Sequence, residues 1–435
     1  METYGKILLV AMPAFLLLVV FEKWYGWFRG KDTVRNLDMI SSLSSGVTNV
    51  VKDVLGISIA IMSYSWMVKH FAVVEVSNSI AVYVIAFLVL DFSGYWVHRI
   101  AHRYNFFWNN HIIHHSSEEF NLACALRQSV SVFVRLFTFL LLPAALLGVP
   151  GQVIAVVAPI QLFAQFWYHT QHIGKMGILE HIIVTPSHHR VHHAINPEYL
   201  DKNFSQIFIW WDKWFGTFQP ELDHIPPVYG ITRPVRTWNP IKINFQHLAL
   251  LVRDAWRTKN WSDKLRIWMM PTGWRPADVE EKDEVFKIKD VYHFDKYDTR
   301  ASAALHVWCW IQLIVLLLIT SYLFANIAAI NKNNGYHIYL YGLFLFVFVY
   351  ALTELMDRNP KAWVPELVKL LLGVYILWDQ GDWFLAGQMI PNLSIGIGIY
   401  LVISFLVTLI FVRKHSTEDL QAVNQHSSFV PLPQS

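Results

Sequence analysis

Charge is scarce in this chain: only 15% of its 435 residues are Asp, Glu, Lys or Arg, where soluble domains average about 25%. That shortage excludes an ordinary water-soluble domain over most of the length. The charges present nearly cancel, to +3, so no basic field recommends nucleic acid as a partner. Cysteine is scarcer still. Cys124 and Cys309 lie far apart in sequence, and Cys309 falls in an apolar run, so neither a disulfide framework nor a cysteine-based zinc site follows. Repeats of fixed period and low-complexity tracts are missing. His-Glu-x-x-His is missing too, which argues against the common zinc-protease arrangement. The segment Pro431-Leu432-Pro433-Gln434-Ser435 matches no retention or lipidation signal.

Apolar residues are what the chain has in excess, 54% of the total with 19 tryptophans. They fall into nine runs, 7–22, 40–68, 79–97, 130–148, 152–169, 303–324, 337–353, 363–383 and 393–412. Most approach the roughly 20 residues that a membrane helix needs. Lys52-Asp53 interrupts the second run, which reads as partly interfacial. Glu22-Lys23-Trp24-Tyr25, rather than a small-residue cleavage site, follows the first, which therefore reads as a retained anchor. The expected fold is all-α and polytopic, with about nine transmembrane helices. With the N-terminus outside, Lys and Arg in the short loops divide eleven inside to three outside, and the positive-inside rule then puts the polar segments on the cytoplasmic face. Three parts are expected: membrane helices in 1–169, a cytoplasmic cap in 170–302, and further membrane helices with a tail in 303–435.

Twelve of the 20 histidines lie between positions 98 and 193. They form three clusters: His98 with His102, His111 with His114 and His115, and His189 with His192 and His193. Residues three or four apart share a helix face about 5–6 Å apart, so each cluster presents a set of imidazoles. Eight such ligands exceed the four of a tetrahedral zinc and suit two ions in one pocket. His169, at the expected end of the fifth span, is a ninth candidate, level with His98. His188 points away from its neighbours, and His172 and His181 stand apart from the clusters. Imidazole suits zinc, copper, iron and nickel alike, so spacing alone leaves the metal open.

Four further residues are candidates. Asp91 is an acid in an apolar run, two helical turns before His98 on the same face, where it could accept a hydrogen bond from a ligand imidazole or make a helix–helix contact. Asn203 could bond a metal-bound water or cap a helix. Arg127 and Arg190 offer planar donor forks to a phosphate or a pterin, or else pair with Glu118, Glu119 or Asp212.

Asp91-Phe92-Ser93-Gly94-Tyr95-Trp96-Val97-His98-Arg99, His114-His115-Ser116-Ser117-Glu118, Ala125-Leu126-Arg127-Gln128-Ser129, Thr185 to His193, and Trp211-Asp212-Lys213-Trp214-Phe215-Gly216 carry a resemblance. Across about 85–220 the chain resembles the fatty acid hydroxylase and sterol desaturase superfamily of integral-membrane di-iron enzymes. The resemblance implies two iron ions held by histidines, O2 as co-substrate and a membrane lipid substrate. Within the superfamily the nearer likeness is to ether-lipid-cleaving members, which implies hydroxylation beside the ether oxygen of alkylglycerol lipids with tetrahydrobiopterin as donor. Animal members of that group tend to carry an acid directly after the second histidine, where this chain has Arg103. A sterol or fatty acyl hydroxylase or desaturase shares the same clusters, and a metal transporter could line a path with them. The expected site of action is the cytoplasmic face of a bilayer, the endoplasmic reticulum in a eukaryote or the inner membrane in a bacterium. The oligomeric state is not legible.

Overall fold

A computed structural model of the chain describes residues 2–60, 62–74, 76, 79–132, 134–333 and 335–427; the terminal Pro431–Ser435 motif lies outside them. Ten helices carry the architecture: α1 (Glu2–Phe28), α2 (Asn36–Val54), α3 (Ile80–Arg103), α4 (Gly151–Ala164), α5 (Pro186–His192), α6 (Pro240–Arg257), α7 (Ala303–Ala325), α8 (His337–Met356), α9 (Trp363–Gln380) and α10 (Leu393–Ser427). Short helical turns and loops fill the rest, with a two-residue parallel pairing of 59–60 with 134–135.

Among the described residues, five helices are long and apolar enough to cross a membrane: Gly5–Phe28, Ile80–Arg103, Ala303–Ala325, His337–Met356 and Leu393–His415. The other four expected spans take different forms. Residues 40–68 divide: α2 stops before Gly56, whose φ of +64° turns the chain, and a short helix Tyr64–Phe71 follows. α2 is a buried core helix with a polar face. Ser41 donates to the Trp238 carbonyl and Ser45 to that of Gln128, while Lys52 donates to that of Ser129. Apolar averaging across the sequence hides such a serine face. The fourth and fifth spans reduce to the shorter apolar helices Phe137–Leu146 and Gly151–Ala164. The eighth is α9, which carries Glu366 and Lys369 inside the bundle.

Two apolar clusters hold these pieces. The larger joins α1, α2 and α7 to α8, α9 and α10, through Val47, Leu313, Phe344, Trp383 and Leu401 among others. The smaller packs α3 on α4 through Val82, Ala86, Val153 and Val157. Between α9 and α10 lies a closed polar network. Lys369 is 2.7 Å from Glu366 and donates to Ser404 at 3.0 Å, with its ammonium 4.2 Å from the Phe348 ring centre. Ser404 in turn donates to Glu366, and Gln312 on α7 donates to Ser404.

The loop after the second histidine cluster is clamped to α2 by Arg127. Its guanidinium donates to Asp38 at 2.6 Å and to Ser42 and Ser116 at 2.9 Å, all buried. Removing one partner of such a pair strands a buried charge, at a cost of about 3–5 kcal/mol. Arg127→Met should therefore lower the unfolding midpoint in detergent sharply, while Asp38→Leu combined with Arg127→Met should recover much of the loss.

Candidate metal centre

α3 ends with His98 and His102 on its last turns, and stops where Tyr104 becomes extended (φ −122°, ψ 135°). The short helix Ile112–His115 follows, preceded by His111. His169 lies just beyond α4. α5 begins at a capping box in which Thr185 and His188 exchange bonds, with Pro186 in the first turn. That turn gives His188 a capping position and sends His189, His192 and His193 inward.

The nine histidines meet in two adjoining groups. His98, His102, His111, His115 and His192 form the first, and His114, His169, His189 and His193 the second. In each, the nitrogen atoms lie within 4.8 Å of one another. The rings of His115 and His193 stack at 4.3 Å, so the groups share a wall. Contacts between Nε2 atoms measure 2.9 Å for His98 with His111, and 3.1 Å for His115 with His102, His111 and His192. In the second group they run from 2.8 Å for His169 with His189 to 3.3 Å for His114 with His169. With metal–nitrogen bonds of about 2.1 Å, ligands at right angles stand about 3.0 Å apart, and tetrahedral ones about 3.4 Å. Most of the spacings are near those of ligands at right angles.

The outer nitrogens show how these groups could hold a cation. Nδ1 of His98 donates to the Phe204 carbonyl (2.8 Å), His192 to Lys202 (2.9 Å), His169 to Gln165 (2.9 Å) and His114 to Arg127 (3.3 Å). A carbonyl only accepts, so each Nδ1 carries the hydrogen and each Nε2 a lone pair. His114 and His169 therefore point lone pairs at each other. Protonation is no remedy, because burial pushes His114 down to about 3 and His169 well below its ordinary value. A cation between them satisfies both. His102 has a carboxylate behind it instead, Asp201, at 3.7 Å. Aromatic rings close the walls: Trp108 against His102 and His115, Phe204 against His98, His102 and His192, and Phe120 and Tyr168 against the second group.

The remaining four candidates have other partners. Asp91 does not reach an imidazole. It accepts from the main-chain N–H groups of Ile207 (2.9 Å) and Phe208 (3.1 Å) and from the Trp211 indole (2.8 Å). It holds the loop whose carbonyls orient His98 and His192. Gly94 leaves room for the Gln206 side chain of that loop, whose amide would meet a Cβ there. Asn203, at φ +56°, donates to the His188 and Gln219 carbonyls and accepts from Gln219 N–H, fixing the same loop. Arg127 is engaged by Asp38, as described. Arg190 forms a two-pronged pair with Glu221 (2.9 and 2.6 Å) and donates to the carbonyls of Thr170 and Ile173. Glu118, Glu119 and Asp212 are partners of neither. Asp212 instead accepts from Phe204 N–H, Ser205 N–H and the Thr217 hydroxyl.

A helical membrane protein with a paired histidine centre at a helix end is the class that this geometry defines. Residues 83–217 match the fatty acid hydroxylase family. Over most of its length the chain is similar to alkylglycerol monooxygenases. It is 34% identical to that of Homo sapiens, over 88% of this chain and 84% of the human one. It is 32% identical to that of Xenopus tropicalis, over 83% and 80%, and 30% identical to that of Danio rerio, over 97% and 93%. The chain belongs to the alkylglycerol monooxygenase family and is a membrane-bound monooxygenase. No solved structure matches it.

His192→Ala and His189→Ala should each lower the bound metal, the one through the first group and the other through the second, read as metal per chain by elemental analysis. His181→Ala, outside both groups, should keep the full complement.

Proposed function

We propose that this protein is an O2-dependent di-iron monooxygenase that hydroxylates the carbon next to the ether oxygen of alkylglycerol lipids. The observation that carries this reading is the twin imidazole centre at the end of an apolar membrane helix, in a chain that belongs to the alkylglycerol monooxygenase family. The ligands are His98, His102, His111, His115 and His192 for one iron and His114, His169, His189 and His193 for the other. Iron bound there supplies the O2 activation that amino-acid side chains do not provide.

One oxygen atom enters the C–H bond beside the ether oxygen, and the other leaves as water with two electrons and two protons from the donor. The resulting hemiacetal collapses, breaking its bond to the ether oxygen, to a fatty aldehyde and a glycerol hydroxyl. Tetrahydrobiopterin is the proposed donor. The chain's own part is placement and dryness. The nine imidazoles, being neutral, would hold the ions without cancelling their charge. The rings of Trp108, Phe120, Tyr168 and Phe204 exclude water from the imidazoles. Asp91, Asn203 and Asp212 act at one remove, as positioning residues of the loop 202–212. The membrane helices bring the alkyl chain from the bilayer, with the centre on the cytoplasmic side, in the endoplasmic reticulum of a eukaryote or the inner membrane of a bacterium.

Iron-loaded protein supplied with an alkylglycerol, O2 and tetrahydrobiopterin should release fatty aldehyde, detected by mass spectrometry, and His114→Ala should abolish it. Iron retained without aldehyde, together with hydroxylated or desaturated acyl chains or sterols, would replace ether cleavage by that chemistry.

A further inference from the structure

The polar cap carries a cluster of large apolar side chains that the monooxygenase centre does not use. Val252 and Trp256 stand four residues apart at the end of α6, and are 53% and 85% exposed. Trp261 and Leu265, four apart on the next helix Trp261–Arg266, are each 76% exposed, and Met269 after them is 54% exposed. Lys264 ties the two sets together: its ammonium lies 5.7 Å from the Trp261 ring centre and donates to the Ala255 and Trp256 carbonyls. Soluble surfaces rarely expose so much contiguous apolar area without a partner.

The position of this patch says what the partner is. The segment behind it is stitched to the chain just where α3 ends. Asn105 N–H donates to the Met270 carbonyl, Phe106 N–H to that of Trp268, and the Asn105 side chain to those of Ile267 and Trp274. Thr272 N–H returns to the Arg103 carbonyl, on the last residue of α3. The patch is thus fixed at the level where a candidate membrane span stops. Beside it the apolar surface continues through Phe106, 38% exposed, to Phe107, whose ring packs on Phe137 at the start of the apolar helix Phe137–Leu146. Two tryptophans with Lys259, Lys264 and Arg266 among them have the composition of a surface that rests in a bilayer interface, aromatic rings at headgroup depth and cations beside lipid phosphates.

We propose that Val252, Trp256, Trp261, Leu265 and Met269 enter the interfacial layer of the lipid bilayer, so that the cap is seated on the membrane and not only connected to it. The seat lies directly behind the turn that ends α3 after His102. It gives the cap a fixed height above the lipid from which an alkyl chain would be drawn.

Cys124 and Cys309 are buried, so nitroxide labels can be confined to introduced cysteines. Trp256→Cys, Trp261→Cys and Leu265→Cys would be labelled singly in the full-length protein, reconstituted in vesicles of phosphatidylcholine with phosphatidylserine. Leu318→Cys, on the outer face of α7, serves as the lipid reference, and Lys282→Cys, on the cap, as the aqueous one. The expected result is paramagnetic relaxation by O2 well above that by a water-soluble nickel chelate at all three sites, between the two references. Relaxation like that of Lys282→Cys would overturn the proposal. So would shielding from both reagents with dipolar broadening between labels, the signature of a second copy on the patch. Neither readout depends on iron content or on the lipid that the enzyme oxidises.

Discussion

An imidazole has two nitrogens, and an acceptor at the outward one keeps the hydrogen there and leaves the inward lone pair free for a cation. In this protein that acceptor is, for His98, His114, His169 and His192, a main-chain carbonyl. A main-chain carbonyl is placed only by the course of the backbone. The centre therefore depends on whatever fixes the backbone at Lys202, Phe204, Gln165 and Arg127. Asp91 and Asp212 bind the loop 204–211 by its N–H groups, while Arg127 binds its own segment to α2. Buried carboxylates that accept several N–H bonds are satisfied without a counter-ion, which is how two acids come to lie beside nine clustered imidazoles.

The gathering of the histidines was legible because the spacing of three and four is written locally. His169 was legible for another reason, its depth at the end of an apolar run, and the structure puts it 2.8 Å from His189. The partners of the other polar residues were not legible. Asp38 meets Arg127 across 89 positions, and Trp211 meets Asp91 across 120. No local pattern encodes such pairs, so Asp91 read as either a ligand's neighbour or a helix–helix contact, and the ion pairs open to Arg127 and Arg190 were sought with Glu118, Glu119 or Asp212 and not with Asp38 and Glu221. Asp212 read as an arginine's partner, and its actual task was hidden because it holds main-chain N–H groups, which every residue but proline possesses.

Membrane spans divide in the same way. Ala303–Ala325 has the length and hydropathy of a span, as its composition suggested. α2 is not such a span, since Ser41, Ser42, Ser44, Ser45 and Thr48 are all buried against protein. A hydropathy average does not distinguish lipid from a protein neighbour that offers carbonyls and hydroxyls. The all-helical expectation survives the loss of individual spans, because a short buried helix and a long lipid-facing one satisfy their backbones in the same manner.

The pair of Glu366 and Lys369 lies in none of the chemistry, and yet it constrains the C-terminal helices. Both groups sit one turn apart on α9, and both meet Ser404 on α10. Apolar ridges can slide past each other with little change in energy, but a charge pair that needs one particular hydroxyl cannot. Turning α9 about its axis, or shifting it by a residue, would separate an ammonium and a carboxylate from that hydroxyl in a medium of low dielectric. These residues thus act as an indexing pin: they select one rotational setting from the many that greasy helices would tolerate.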